Sequence, residues 1–278
     1  MLYHKWMFVA AVVCSLCSLI TNAQGPDSDY YNDRITNLFV RLVEAENDSA
    51  KEELSDSILI ILEKYAGENY LFDDHLDGTR YLGQVTSPDS LMKILTWNLV
   101  FSDGRNSFNC IVIFANDNNE NRIVSMRGNM GLSNLKQDTI LREGEWYGAL
   151  YYDIQPFVYD DTTFYVLLGI DLSNTFTTSK VIEVLDPNSA DGLIFGSPRI
   201  KSPRGLAGRF LFHYSASVSM LLRFNEKRDM IHFDHLSPSS PQLIGEFQFY
   251  GPDFSYDALE YRNGFWYFIE DVDIRNKE

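Results

Sequence analysis

Residues 209–224, RFLFHYSASVSMLLRF, alternate in polarity. The even positions are Phe210, Phe212, Tyr214, Ala216, Val218, Met220, Leu222 and Phe224, and none is strongly polar. The odd positions are Arg209, Leu211, His213, Ser215, Ser217, Ser219, Leu221 and Arg223, and most are polar. Successive side chains of a strand point to opposite faces, so this parity predicts extended chain with one buried face and one wet face. Sixteen residues exceed an ordinary strand, and the three small residues at 215–217 predict a bend there.

Earlier in the chain the period is different. Ile35, Leu38, Phe39, Leu42 and Val43 form one helical stripe, predicting a helix over 29–46. Residues 47–49 break it, and Ser49 with Glu52 offers a capping box for a second helix over 50–66. That helix carries Leu54, Ile58, Ile61, Leu62 and Tyr65 on its stripe, with Gly67 as a stop. A short connection between two helices predicts an antiparallel hairpin, placed to cover a face or edge of a sheet.

From about residue 79 the pattern is of strands and turns. Apolar β-forming runs lie at 79–85, 91–97, 108–114, 122–126, 146–154, 163–171, 179–185 and 193–195, and after the alternating segment at 230–236, 246–250, 257–261 and 265–270. Asn263-Gly264 is the strongest hairpin turn, with Asp103-Gly104 and Asp160-Asp161 behind it. Residues 199–208 and 237–241 read as Pro/Ser/Gly loops. No helical pattern of ten or more residues follows Gly67. The expected fold is mainly β, an antiparallel β-sandwich or rolled meander with an N-terminal helical hairpin. Ser87-Pro88-Asp89 resembles a turn of β-propeller blades, which makes a small propeller the alternative, but no second copy recurs at a blade's period. The domains read as 1–23 signal peptide, 24–70 helical hairpin and 71–278 antiparallel β domain.

The signal peptide rests on Lys5, the uncharged run 6–20 and the small or neutral residues Thr21-Asn22-Ala23, which predict cleavage after Ala23. The apolar run is short for a bilayer span. Cys14 and Cys17 lack the small preceding residue that lipoprotein processing prefers, so the expected location is periplasmic or secreted without a lipid anchor. After cleavage 22 basic and 39 acidic residues remain, a net charge of −17, and Cys110 is the one cysteine left. No internal disulfide is then possible. Such acidity argues against nucleic acid and anionic lipid as partners.

Polar residues on the wet face supply the candidate chemistry. A four-residue turn at 225–228 would set Phe224 opposite Asp229, Leu222 opposite Ile231 and Met220 opposite Phe233. That register brings His232, Asp234 and Ser219 onto one face, with Ser217, Ser215 and His213 following if parity survives the bend. The bland reading is a solvated face with cross-strand polar pairs. A hydrolase would need a serine on a strained turn, and no G-x-S-x-G occurs. A zinc site would use His213, His232 and Asp234, at a spacing that matches no ligand motif. Asp117, Asn119 and Asn121 imitate a calcium loop, but Arg122 and Gly128 stand where glycine and glutamate are required. The acids Asp253, Asp257, Glu260, Glu270, Asp271 and Asp273 could gather a cation or serve solubility alone. Cys110 reads as a buried small hydrophobe. The run YGPDFSYD places Tyr250, Asp253, Tyr256 and Asp257 around a turn, as a small polar ligand would need.

The stretches KVIEVLD (180–186), MIHFDHLSP (230–238) and FYGPDFSYD (249–257) resemble an uncharacterised family of secreted Bacteroidota proteins. The resemblance implies an envelope location in a Gram-negative cell and carries no activity or site residue. The expectation is a metal-free binding or interaction module without cofactor, its partner an envelope protein or a small polar ligand. A hydrolase or metal-dependent enzyme, and a structural envelope protein, are the alternatives.

Overall fold

The structure, a computed structural model, describes residues 28–68, 71–115, 120–128, 135–172, 174–189 and 192–274. The expected signal peptide lies outside them. Two helices open the fold, α1 (Ser28–Glu44) and α2 (Asp48–Ala66). Most of each expected stripe is buried, Ile35, Phe39 and Leu42 on α1, joined by Tyr31, and Ile58, Ile61, Leu62 and Tyr65 on α2, while Leu38 and Leu54 are half-buried and Val43 is exposed. The start of α2 differs. Asn47 is the cap, accepting the Ala50 N–H at 2.8 Å, so Ser49 falls inside the helix and the expected capping box is not formed. At the other end the Asn121 side chain donates to the Ala66 carbonyl at 2.8 Å and satisfies one of the exposed terminal oxygens.

The first sheet is an antiparallel meander of β1 (Gly83–Thr86), β2 (Met92–Val100), β3 (Asn106–Phe114) and β4 (Arg122–Gly128). The chain then builds a second sheet from β5 (Leu141–Arg142), β6 (Leu150–Tyr159), β7 (Thr162–Asp171), β8 (Thr177–Ser189) and β9 (Gly192–Phe195). It leaves for the short hairpin of β10 (Ile200–Ser202) and β11 (Gly205–Ala207), where a loop was expected. It returns as β12 (Arg209–Ser215), paired to β8. The third sheet is completed by β13 (Leu222–Phe224), β14 (Met230–Pro238), β15 (Tyr250–Arg262) and β16 (Phe265–Ile269), in the order β11-β10-β16-β15-β14-β13. Pairing between described strands is antiparallel except for β10 with β16. Asn263 and Gly264 both take positive φ at the β15–β16 turn, as their residue types predict. The expected strand at 246–250 is instead a 3₁₀ turn, Phe247–Phe249, leading into β15.

Three shared cores show how the layers stack. Leu95, Trp97 and Leu99 of β2 pack under the helices, while Met92 and Ile94 pack with Leu167 and Val181 of the second sheet. Ile182 and Val184, on the opposite face of β8, pack with Leu222, Phe233 and Trp266 of the third. Hairpin and three sheets therefore form four layers, a sandwich rather than blades around an axis. Lys93 joins the first two layers of that stack. Fully buried, its ammonium donates to the carbonyls of Leu71 at 3.0 Å and Asp74 at 2.6 Å, and burial lowers its pKa to about 8.

The alternating segment is where the chain changes sheets. Phe212, Tyr214, Met220, Leu222 and Phe224 are all buried in the core between the second and third sheets, as parity predicts. β12 ends at Ser215, and residues 216–219 are exposed in the link between the sheets. The expectation of a wet odd face is corrected at its start. Leu211 packs into the core between the first two sheets, and Arg209 is wholly buried. Arg209 sits opposite Glu183 in register and donates twice to Glu183 Oε1, at 2.9 and 2.6 Å. Its Nη1 donates to the carbonyls of Lys136, at 3.1 Å, and Thr139. Tyr147 and Tyr151 donate to Glu183 Oε2, and Trp146 donates to the Tyr151 hydroxyl at 3.2 Å. Each charge is thus hydrogen-bonded, the condition under which ions tolerate burial. Gly196, at φ +84°, leaves room for the guanidinium, since a Cβ there would lie 2.4 Å from Arg209 Nη2.

This network predicts a non-additive pair of substitutions. Glu183→Leu alone strands the arginine and is expected to destabilise the fold by about 3–5 kcal/mol, while adding Arg209→Met recovers most of that loss. Urea unfolding of the three proteins measures it, and an unchanged midpoint for the single variant refutes it.

Candidate functional site

The hairpin that carries the polar candidates closes two residues away from the expected register. Asn225 belongs to the strand end, its N–H donating to the Met230 carbonyl at 2.9 Å, so the four turn residues are 226–229. The Asn225 side chain accepts the N–H groups of Asp229 and Met230 at 3.1 and 3.2 Å, which favours this closure. Leu222 then pairs with Phe233, Arg223 with His232 and Phe224 with Ile231. A shift by two keeps every side chain on its expected face. It changes who meets whom.

Asp234 consequently meets Leu221 rather than Ser219. Its carboxylate accepts the Leu221 N–H at 2.6 Å, and its own N–H donates to the Leu221 carbonyl at 3.2 Å. Lys180 donates to the Met220 carbonyl at 2.7 Å and the Tyr152 hydroxyl to that of Leu222 at 3.1 Å. Three side chains from three strands thus hold the point where the chain crosses between sheets, and Ser219 stays exposed outside it. His232 places Nε2 at 2.9 Å from the Met230 sulfur, and its pKa is lowered by burial and by Arg223. His213 lies on the other sheet, with Nδ1 at 2.7 Å from the Ser179 hydroxyl and its ring 5.0 Å from that of Phe247. Burial lowers its pKa also. The expected face of His213, His232, Asp234 and Ser219 is therefore divided among a sheet pairing, a crossover anchor and an exposed link. Among the described residues no three His, Cys, Asp or Glu side chains are placed to hold a metal. Asp117 and Asn119 lie outside the described residues. Cys110 is fully buried, and burial pushes its thiol well above the usual range, as a core residue rather than a nucleophile.

The aromatic turn is likewise distributed along β15. The Tyr250 hydroxyl accepts the Gly245 N–H at 3.0 Å and its ring packs on Phe247. Asp253 accepts from the N–H and hydroxyl of Ser255 at 3.1 and 2.7 Å. Phe254, at φ +71°, is 91% exposed between them. Tyr256 pairs with Asp234 across the sheet. Asp257 is buried, accepts the Asp271 N–H at 3.1 Å and meets His235 Nδ1 at 2.8 Å. Tyr250 and Tyr256 are drawn to separate partners, but Asp253 and Asp257 lie near enough to His235 for each to act on its charge. His235 was not among the sequence candidates. A register shift between Asp234 and Leu236 delivers it to Asp257, and such a bulge leaves no mark in the alternation of the strand. The hydrogen bond to Asp257 raises its pKa, against the effect of partial burial.

A concave site exists elsewhere. A cleft of about 530 Å³ opens where α1, the chain leading into β1, the end of β2 and the start of β6 meet. Its walls are mostly apolar, with Phe39, Leu42, Leu99, Leu150 and Ile170 among them. Val43, Tyr81, Val100 and Tyr152 also line it and remain 57%, 50%, 53% and 40% exposed, because the hairpin covers the face of the first sheet but not this edge. Gly83 lets β1 approach β6 closely. A Cβ there would lie 2.6 Å from Thr96 Oγ1 and 3.3 Å from the Tyr151 carbonyl. The polar groups of the lining include Lys51, Arg80 and Asn98. Lys51 donates to the Val100 carbonyl at 2.7 Å and Asn98 to Asn106 at 3.0 Å. The lining comes from several distant segments, so no local motif announces it. Compared with known families and with curated proteins, the chain matches none.

Two expectations follow. Asp234→Ala is expected to destabilise the fold by about 1–3 kcal/mol and Ser219→Ala by less than about 0.5, a difference that urea unfolding reads and that the register pairing Asp234 with Ser219 does not produce. The raised pKa of His235 means that its pairing with Asp257 stabilises below the unfolded value of about 6.5 and that this contribution disappears as pH rises through the folded value. His235→Gln is expected to lower stability more at about pH 6 than at about pH 8.5, and an equal loss at both refutes the pairing.

Proposed function

We propose that this protein is an exported, metal-free binding module of the cell envelope, and that its ligand site is the cleft between the helical hairpin and the β1–β2 edge. The observation that carries the reading is the cleft: an apolar concavity of about 530 Å³, a size typical of small-molecule sites, with four large side chains left exposed along its walls. The hydrophobic leader with Thr21-Asn22-Ala23 and the resemblance of three segments to secreted Bacteroidota proteins support export. Among the described residues no helix is long and apolar enough to cross a membrane. The hydrolase reading loses its support, because His213 is engaged with a buried serine and the residues expected to converge with it do not.

The whole chain, expressed in a Gram-negative host and recovered from the envelope fraction, is expected to begin at Gln24 and to release a small apolar molecule in native mass spectrometry. Val43→Trp, a change at an exposed helical position lining the cleft, is expected to leave unfolding unchanged and to remove the bound mass. Wild type without a bound molecule, or a variant that keeps it, refutes the cleft as the site.

A further inference from the structure

The charge of this cleft is opposite to that of the protein. The chain carries 39 acidic and 23 basic residues, yet the cleft lining contains Lys51 and Arg80 and no aspartate or glutamate. Lys51 uses one ammonium proton on the Val100 carbonyl, which leaves two for another acceptor. The Arg80 guanidinium is exposed and makes no hydrogen bond or ion pair with the described residues. Among the described residues Arg105, Arg122, Arg127, Arg209, Arg228 and Arg262 face carboxylates and Arg41, Arg204 and Arg223 do not, so what sets Arg80 apart is its place in an apolar cleft whose lining holds no acid.

We infer that the ligand of the cleft is an amphipathic monocarboxylate, an unbranched fatty acid in its ionised form. This rests on the cleft being the binding site, as proposed above. The alkyl chain lies along Phe39, Leu42, Leu99 and Ile170, and the carboxylate is held by the fork of Arg80 with help from Lys51. A neutral apolar molecule would leave Arg80 without a partner and the two free protons of Lys51 unused. A cationic amphiphile would be repelled by them, although the net charge of the whole chain favours it. The local charge decides, because at contact range it outweighs distant charges screened beyond about 8–10 Å at physiological salt.

Calorimetric titration with three probes of equal chain length tests this: dodecanoate and dodecyltrimethylammonium, each below its micelle concentration, and dodecanol below its solubility limit. Dodecanoate is expected to bind at least tenfold more tightly than the other two. Arg80→Gln is expected to weaken dodecanoate about tenfold and leave dodecanol unchanged, while Arg80→Lys restores part of the loss. A several-fold weakening of dodecanoate on raising salt from 0.05 to 0.5 M is also expected. If dodecanol or the ammonium binds as tightly as dodecanoate, the anionic preference is overturned while the cleft stands. If none of the three binds and Val43→Trp still carries the mass of the envelope-derived protein, both the preference and the cleft are overturned.

Discussion

A sheet covered on both faces has no side on which to hide a polar residue, and that constraint shapes this molecule. β8 has the hairpin-bearing first sheet over Val181 and Leu185 and the third sheet over Ile182 and Val184. Any charge on its interior must be neutralised in place. Glu183 and Arg209 meet this demand by lying directly across from one another, with two tyrosines bonded to the carboxylate and two main-chain carbonyls to the guanidinium. The pair stands at one end of a seven-residue ladder between β12 and β8. At the other end, after Ser215, the chain leaves the second sheet for the third.

That exit is the second consequence. A single run of alternating residues serves two sheets, and the break between them needs support that neither sheet provides. Lys180 from β8, Tyr152 from β6 and Asp234 from β14 hold the main chain at Met220, Leu221 and Leu222. Polar residues that resemble reactive groups in a linear reading are here the means of joining layers. The same holds for Lys93, whose buried ammonium ties the chain after α2 to the first sheet.

The cleft opens where the hairpin's cover of the first sheet ends. There β1 approaches β6 closely at Gly83, and the end of β2, the start of β6 and the C-terminal part of α1 enclose a concavity rather than a packed seam. Val43, Tyr81, Val100 and Tyr152 stay exposed along it. The hydrophobic effect ordinarily removes such surface, so its persistence beside Lys51 and Arg80, with no acid in the lining of a strongly acidic chain, is the feature that most asks for a ligand.

Local pattern determined a good deal. Most of the helical stripes and strand runs, the turns at Asp160-Asp161 and Asn263-Gly264 and the burial of Phe212, Tyr214, Met220, Leu222 and Phe224 are properties of neighbouring residues and were readable. The 3₁₀ turn at 247–249 and the hairpin at 200–207 were not. Parity also separated His232 from Ile231 and Phe233, because a strand has only two faces. What parity does not contain is the identity of whatever covers each face. Leu211 and Arg209 read as wet and are interior, since a sheet formed more than eighty residues earlier lies over them. The partners of Asp234 and His235 depended on a two-residue choice of turn and on one bulge, both decided by side-chain fit at Asn225 and between strands. The cleft is further still from local pattern, because its walls adjoin only after hairpin and sheets have stacked. Periodicity sorts side chains by solvent; only tertiary packing chooses their company.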